Sequence, residues 1–272
     1  MKIAFLTTDD PIYLPSFFER VLSLRGEESV VFVVPPLYKG QTTVDAASRY
    51  LRTFGFRAAW GLALRILGAR IRRQSIARIC QRFGVPCESI RDVNDPAFLR
   101  TLRTMETQLI VSVSCPQIFK KPLIDLPPRG CLNIHGAILP DYRGVMPSFW
   151  MLANGENRAG VSIFFVNEDI DAGELCGQRI FEIGPDETLD EFLRRSKAIA
   201  AELLLDVIQR IGNGTITSIP LDLSKGSGSY YSWPDRAAVR RFHAAGRRLW
   251  WRPRRLLSRR GTRPESSSME VR

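Results

Sequence analysis

No stretch of this 272-residue chain approaches twenty apolar residues without a charge, so a membrane-spanning helix is not expected. The opening Met1-Lys2-Ile3-Ala4-Phe5-Leu6 has too little hydrophobic length, and no cleavage signal, for a secretory leader. Cysteine is sparse: Cys80, Cys87, Cys115, Cys131 and Cys176 are odd in number and scattered, with no Cys-x-x-Cys pair. That argues against a disulfide framework and for reduced, structural thiols in a cytoplasmic protein; no metal is expected. No Gly-x-Gly-x-x-Gly follows the first expected strand, where Thr7-Thr8-Asp9-Asp10-Pro11 stands instead, so a nicotinamide cofactor is not expected. A Gly-Lys-Ser/Thr phosphate loop and internal repeats are absent too. Histidine occurs only at 135 and 243. Imidazole chemistry therefore has two possible homes.

What is present reads as an α/β protein. Strands are expected at 2–8, 28–35 and 108–113, with helices near 13–24 and 96–105 between them. Such alternation argues for a parallel sheet with crossover helices. Residues 188–211 form an amphipathic helix: Thr188-Leu189-Asp190-Glu191 makes a capping box, and Leu193, Ile199, Leu203, Leu204 and Ile208 carry the apolar face.

The chemistry concentrates in one stretch. Residues 131–135 alternate apolar and polar after the turn Pro127-Pro128-Arg129-Gly130, which reads as the end of a buried strand. On a strand Asn133 and His135 face the same side. Residues 161–166 form a second β-rich run, and Asp171 falls in the loop after it, beside Gly173. Two strand ends and a loop on one side of a sheet make a ligand crevice. An amide, an imidazole and a carboxylate meeting there suit attack by an amine on an activated carbonyl. Asn-x-His alone describes many structural histidines and Asp-Ala-Gly alone many turns; their joint occurrence around Leu139-Pro140-Asp141-Tyr142-Arg143-Gly144 is what points to a site.

That region resembles the signature of the folate-dependent formyltransferases, a family that includes methionyl-tRNA, glycinamide ribonucleotide and amino-sugar formyltransferases. Its Asn, His and Asp fall on Asn133, His135 and Asp171, its Leu-Pro-x-Tyr/Trp-Arg-Gly loop on 139–144, and its Gly-Glu-x-x-x-Gly-Val step on Gly155, Glu156, Gly160 and Val161. The resemblance extends more weakly from Lys2 to about Gly214. It implies a Rossmann-like, mostly parallel sheet with flanking helices, 10-formyltetrahydrofolate (less often the N5 isomer) as co-substrate, and a primary amine as acceptor. Asn133 and His135 would donate to the developing oxyanion, while Asp171 would orient His135, raise its pKa and accept the amine's proton. No serine or cysteine sits in a nucleophile setting. The pterin would lie against Ser114, Cys115, Pro116, Gln117 and Ile118, with Ile138, Leu139, Asn167 and Ile170 closing around it. Arg143 is the candidate for binding an anion, either the folate tail or an acceptor phosphate or carboxylate; its alternative is a structural salt bridge.

Charge is uneven. Residues 43–83 hold nine arginines against Asp45, and residues 236–272 hold twelve against Glu265 and Glu270; these supply +8 and +10 of a net +11. Both interleave arginine with tryptophan and leucine, the composition of an interfacial helix. Three readings stand: contact with an anionic membrane surface, contact with RNA, or a first segment that packs its apolar face inward and exposes its arginines. Nucleic acid is the less favoured partner.

The expected organisation is a catalytic domain over 1–214, an aromatic and basic extension over 215–257, and a disordered basic tail over 258–272. The 58 residues after Gly214 are too few, and too poor in strands, for the β-barrel domain of methionyl-tRNA formyltransferases. The expected acceptor is therefore an amino sugar, nucleotide-linked, for surface polysaccharide synthesis. Tyr142, Arg143, Tyr230 and Trp233 are the candidates to contact it, with Tyr230, Tyr231 and Trp233 either stacking a base or sugar or packing on the domain. The alternatives are a methionyl-tRNA formyltransferase without the barrel, a formyltetrahydrofolate hydrolase, and a non-catalytic membrane- or RNA-binding relative.

Overall fold

Alternation along the first strand sets the layering. In β1 (Ile3–Thr8), Ile3 and Phe5 enter one apolar core while Ala4 and Leu6 enter another on the opposite face. A strand buried on both faces is the mark of an interior position in a parallel sheet. The computed structural model describes residues 1–35, 41–224 and 227–250. Through them run α1 (Leu14–Arg25), β2 (Ser29–Val34), α2 (Thr43–Phe54), α3 (Phe56–Ile71), α4 (Ile76–Arg82), β3 (Cys87–Ser89), α5 (Pro96–Thr104), β4 (Leu109–Val113), α6 (Lys121–Ile124) and β5 (Cys131–His135). Then follow β6 (Arg143–Gly144), α7 (Pro147–Ala153), β7 (Arg158–Phe165), β8 (Glu174–Glu182), α8 (Leu189–Gly212), β9 (Ile219–Pro220), β10 (Tyr230–Tyr231) and α9 (Arg236–Ala244).

Eight strands form one sheet in the order β3-β2-β1-β4-β5-β7-β8-β9. The pairings from β3 to β5 are parallel, as the alternation of strands and helices predicts, and those from β5 to β9 are antiparallel. The β7–β8 pair is antiparallel because the short loop joining them leaves no room for a crossover. One face of the sheet carries α1, α4 and α8, the other α5 and α6. The capping box at Thr188 and Glu191 forms as read from sequence. Asp95 caps α5, whose first residue is Pro96.

A third core lies beside the sheet, where α7 and α9 meet α2 around Phe149, Trp150, Phe192 and Phe242. From the C-terminal extension, Tyr231, Ala238, Val239, Phe242, Leu249 and Trp250 join this core. The Ser224–Ser229 linker is described except at 225 and 226, and the tail expected at 258–272 lies outside the described residues.

The basic segment 43–83 forms α2, α3 and α4, and its packing is divided: Tyr50 and Phe54 of α2 lie against the third core and Ile76, Ile79 and Cys80 of α4 are buried, but other apolar residues face outward. α2 buries no residue and α3 buries only Ala58 and Ala69, while Leu51, Phe56, Trp60, Leu64, Leu67 and Ile71 are exposed. Among the described residues no helix is long and apolar enough to cross a membrane.

Candidate active site

The parallel strands β4 and β5 end together, and a cavity of about 450 Å³ opens beyond them. Asn133 and His135, two apart on β5, both line it, as strand periodicity requires. Asp171 reaches it from the loop after β7, with its own backbone in the left-handed region at φ +49°. The neighbouring Gly173 is needed for a different reason: a Cβ there would stand 1.7 Å from the Phe165 carbonyl oxygen.

The three groups meet at one carboxylate. Asn133 Nδ2 donates to Asp171 Oδ1 at 3.4 Å, and His135 Nδ1 lies 3.6 Å from Asp171 Oδ2. The Gly144 backbone N–H donates to the same Oδ2 at 2.8 Å. His135 Nε2 is 2.7 Å from the Tyr142 carbonyl oxygen, which only accepts, so Nε2 carries a proton. Nδ1 is the nitrogen turned toward Asp171. The imidazole is buried, and so is most of the carboxylate.

The Tyr-Arg-Gly loop is what holds this arrangement, and the C-terminal extension holds the loop. β10 pairs in parallel with β6, setting Tyr230 beside Arg143 and Tyr231 beside Gly144. Tyr142 stacks on Tyr231 with centroids 5.2 Å apart, Tyr231 stacks on Trp150, and Tyr142 Oη donates to Glu156 at 2.5 Å. Burial and then Glu156 push the Tyr142 phenol well above its ordinary range. Gly144, at φ +93°, admits no side chain, because a Cβ would come within 2.3 Å of the Tyr231 carbonyl oxygen.

The rest of the cavity is half apolar. Phe119, Ile134, Phe164 and Val166 line it, and Ile118 and Ile170 stand at its edge, 66% and 46% exposed. Ser114, Cys115, Pro116, Gln117 and Asn167 line it too. The Gln117 side chain bridges to the backbone of Arg91 and Val93, and Asn94 holds the Ile118 carbonyl, so this wall is anchored rather than free. Ser114 Oγ accepts from Lys197. Burial raises the Cys115 thiol to about 11, leaving it protonated and a poor nucleophile.

Of the candidates for contacting the acceptor, Tyr230 lines the cavity and is exposed. Tyr142, Arg143 and Trp233 do not line it. Tyr142 is in the aromatic stack, and Trp233 donates to Thr53 and lies under Arg49, at the α2 interface. Arg143 is partly buried in β6, with its Nε unpaired. Ile138 and Leu139 also stand back from the cavity: Leu139 is buried with its N–H on Ser162, and Ile138 fills the space over Gly160. Among the residues lining the cavity, sequence reasoning did not single out Phe119, Val145 or Phe164. Only Phe164 has a local signal, its place opposite Asn133 across the β5–β7 pair.

A profile of the formyl transferase family matches residues 1–208. The chain belongs to that family. The methionyl-tRNA formyltransferase of Synechococcus sp. (strain JA-2-3B'a(2-13)) is 33% identical over 150 residues, which are 55% of this chain and 47% of that one. The methionyl-tRNA formyltransferase of Ruminiclostridium cellulolyticum is 29% identical over 155 residues, 57% of this chain and 50% of that one. The chain spans about half the length of these curated relatives. The N-formyltransferase of Helicobacter canadensis, solved with folinic acid and dTDP-3-aminofucose, superposes with a TM-score of 0.56 at 18% identity, over 85% of this chain and 71% of that one. Glycinamide ribonucleotide transformylase 1 of Symbiobacterium toebii gives 0.55 at 17%, over 82% and 95%. Similarity at that level establishes the formyltransferase fold, Rossmann-like with a mostly parallel sheet.

Proposed function

We propose that this chain is an N-formyltransferase that moves a formyl group from 10-formyltetrahydrofolate to a primary amine. The observation that carries the reading is the convergence of Asn133, His135 and Asp171 on one cavity, in a chain of the formyl transferase family. The anchored wall at 114–119 and the exposed Ile118 and Ile170 suit a flat heteroaromatic ring, which would cover both.

The chemistry follows from the groups. An amine nitrogen bonds to the formyl carbon while negative charge builds on the formyl oxygen. Asn133 gives one N–H to Asp171 and keeps the other for that oxygen, an interaction worth ~3–4 kcal/mol of barrier. His135 supplies the second donor through Nδ1, with Nε2–H fixed on the Tyr142 carbonyl. Nδ1 stands 3.6 Å from Asp171, longer than a hydrogen bond, so its N–H is not committed to that carboxylate and stays open to the formyl oxygen. Asp171 takes the proton shed by the amine, directly or through water, and that proton passes on to the folate nitrogen as its bond to the formyl carbon breaks.

The acceptor we propose is an amino sugar carried on a nucleotide, for surface polysaccharide synthesis. Tyr230, exposed at the cavity, offers a face for a sugar or base, and the Helicobacter canadensis enzyme was solved with a nucleotide-linked amino sugar. A methionyl-tRNA acceptor is the second reading, favoured by the sequence relatives. The deciding measurement is release of tetrahydrofolate, followed by absorbance, from 10-formyltetrahydrofolate mixed with a panel of amines. Turnover only with amino-sugar nucleotides is the expected result. Turnover only with charged tRNA replaces the acceptor, turnover without any amine means hydrolysis, and no turnover with any acceptor defeats the reading.

A further inference from the structure

Helix α3 turns five of its seven large apolar residues outward, with Leu62 and Ile66 half-buried on the inner side. Phe56, Trp60, Leu64, Leu67 and Ile71 recur at helical spacing on a single face, and each is exposed, from 50% at Leu64 to 73% at Ile71. The opposite face holds the buried Ala58 and Ala69, together with Arg65, which pairs with Asp190 and lies over the Trp250 ring. A helix of a globular domain does the reverse, so this stripe has a partner other than the core.

Its surroundings say which. Arg57 and Arg70 are exposed on either side of the stripe. Past its C-terminal end, Arg72, Arg73 and Arg78 line a cleft of about 530 Å³ with Arg82 and Arg194. The one acid in that lining, Glu19, is bound to Arg82. Arg57, Arg70, Arg73 and Arg78 make no side-chain hydrogen bond or ion pair among the described residues. The whole segment contains a single acid, Asp45, which is engaged at the cap of α2.

We propose that α3 docks on an anionic lipid surface. The stripe would enter the headgroup boundary, its flanking arginines would meet lipid phosphates, and the cleft at the Ile71 end would receive a headgroup. An outward row of large apolar side chains flanked by arginine is what an interfacial helix needs. Nucleic acid would use the arginines but leave Leu64, Leu67 and Ile71 without a role, since aliphatic side chains do not stack on bases. A second copy of the chain would press arginine against arginine with no acid between. No residue of α2 or α3 lines the catalytic cavity, so docking leaves the cavity open.

The test is co-sedimentation of the full chain with vesicles of equal parts phosphatidylglycerol and phosphatidylcholine, and with vesicles of phosphatidylcholine alone. Most of the protein should pellet with the first and stay in solution with the second. The triple variant Trp60→Ser, Leu64→Ser, Leu67→Ser should lose at least about tenfold in bound fraction, with an unchanged circular dichroism spectrum and melting temperature because these side chains are exposed. Arg57→Gln with Arg70→Gln should weaken binding and flatten its salt dependence. Four outcomes would overturn the proposal: no binding to either vesicle, equal binding to both, wild-type binding by the triple variant, or a solution dimer that the triple variant dissociates. So would RNA binding lost in the triple variant without any vesicle binding.

Discussion

At Asp171 a single carboxylate gathers the Asn133 amide, the Gly144 N–H and the His135 ring, so substitutions around it separate chemistry from support. Asn133→Ala and Asp171→Ala should each lower kcat/KM for formyl transfer by at least about a hundredfold while the protein stays folded. Steady-state rates beside a melting curve check this, and near-normal rates in either variant contradict the proposed roles. Tyr142→Phe keeps the ring on Tyr231 but removes the bond to Glu156. It should cost about 1 kcal/mol of stability and leave kcat close to wild type, because the atom that meets His135 is the backbone carbonyl. Gly144→Ala is the harsher change, since its methyl meets the Tyr231 carbonyl. It should displace the loop and reduce kcat even though no functional group is lost.

Between elements, the joint of α3 and α8 is the clearest source of pH dependence. Burial opposes ionisation of Asp190, yet the hydrogen bond and charge of Arg65 outweigh it and hold the carboxyl below its ordinary value. A carboxyl depressed in the folded state stabilises the protein above its unfolded pKa, and that stability is lost as pH falls through the folded value. Arg65→Gln should therefore lower stability at neutral pH by about 1–3 kcal/mol. The gap between variant and wild type should close as pH drops below about 4, where the unfolded carboxyl protonates. Urea titrations at several pH values measure both, and a gap that persists at acid pH rules out the ion pair as its cause. The capping box of α8 is legible in sequence because it spans four neighbouring residues, whereas the Arg65–Asp190 pair spans 125 positions and has no local signature.

Across the whole molecule, residues 236–250 pack against α7 and the start of α8. Phe242 is fully buried and stacks on Phe149 at 5.0 Å, and the backbone of Arg248 and Leu249 accepts from the first turn of α8. Phe242→Ala should cost about 3–5 kcal/mol and move one cooperative transition, seen alike by circular dichroism and tryptophan fluorescence. A separate early transition would show instead that the third core unfolds independently.

Periodicity and short motifs, set by neighbours along the chain, determine the parallel half of the sheet, the amphipathic α8 and the polar residues Asn133, His135 and Asp171. The strands and helices read true because each forms from adjacent residues, and strand periodicity brings Asn133 and His135 to one cavity. Which aromatic faces the cavity and which faces the core was decided by tertiary packing. Tyr230 reaches the cavity while Tyr142 and Trp233, equal candidates by composition, are spent on a stack and on α2. The outward stripe of α3 is likewise invisible in one dimension, because amphipathic spacing fixes that a helix has two faces and only its neighbours fix which one meets water.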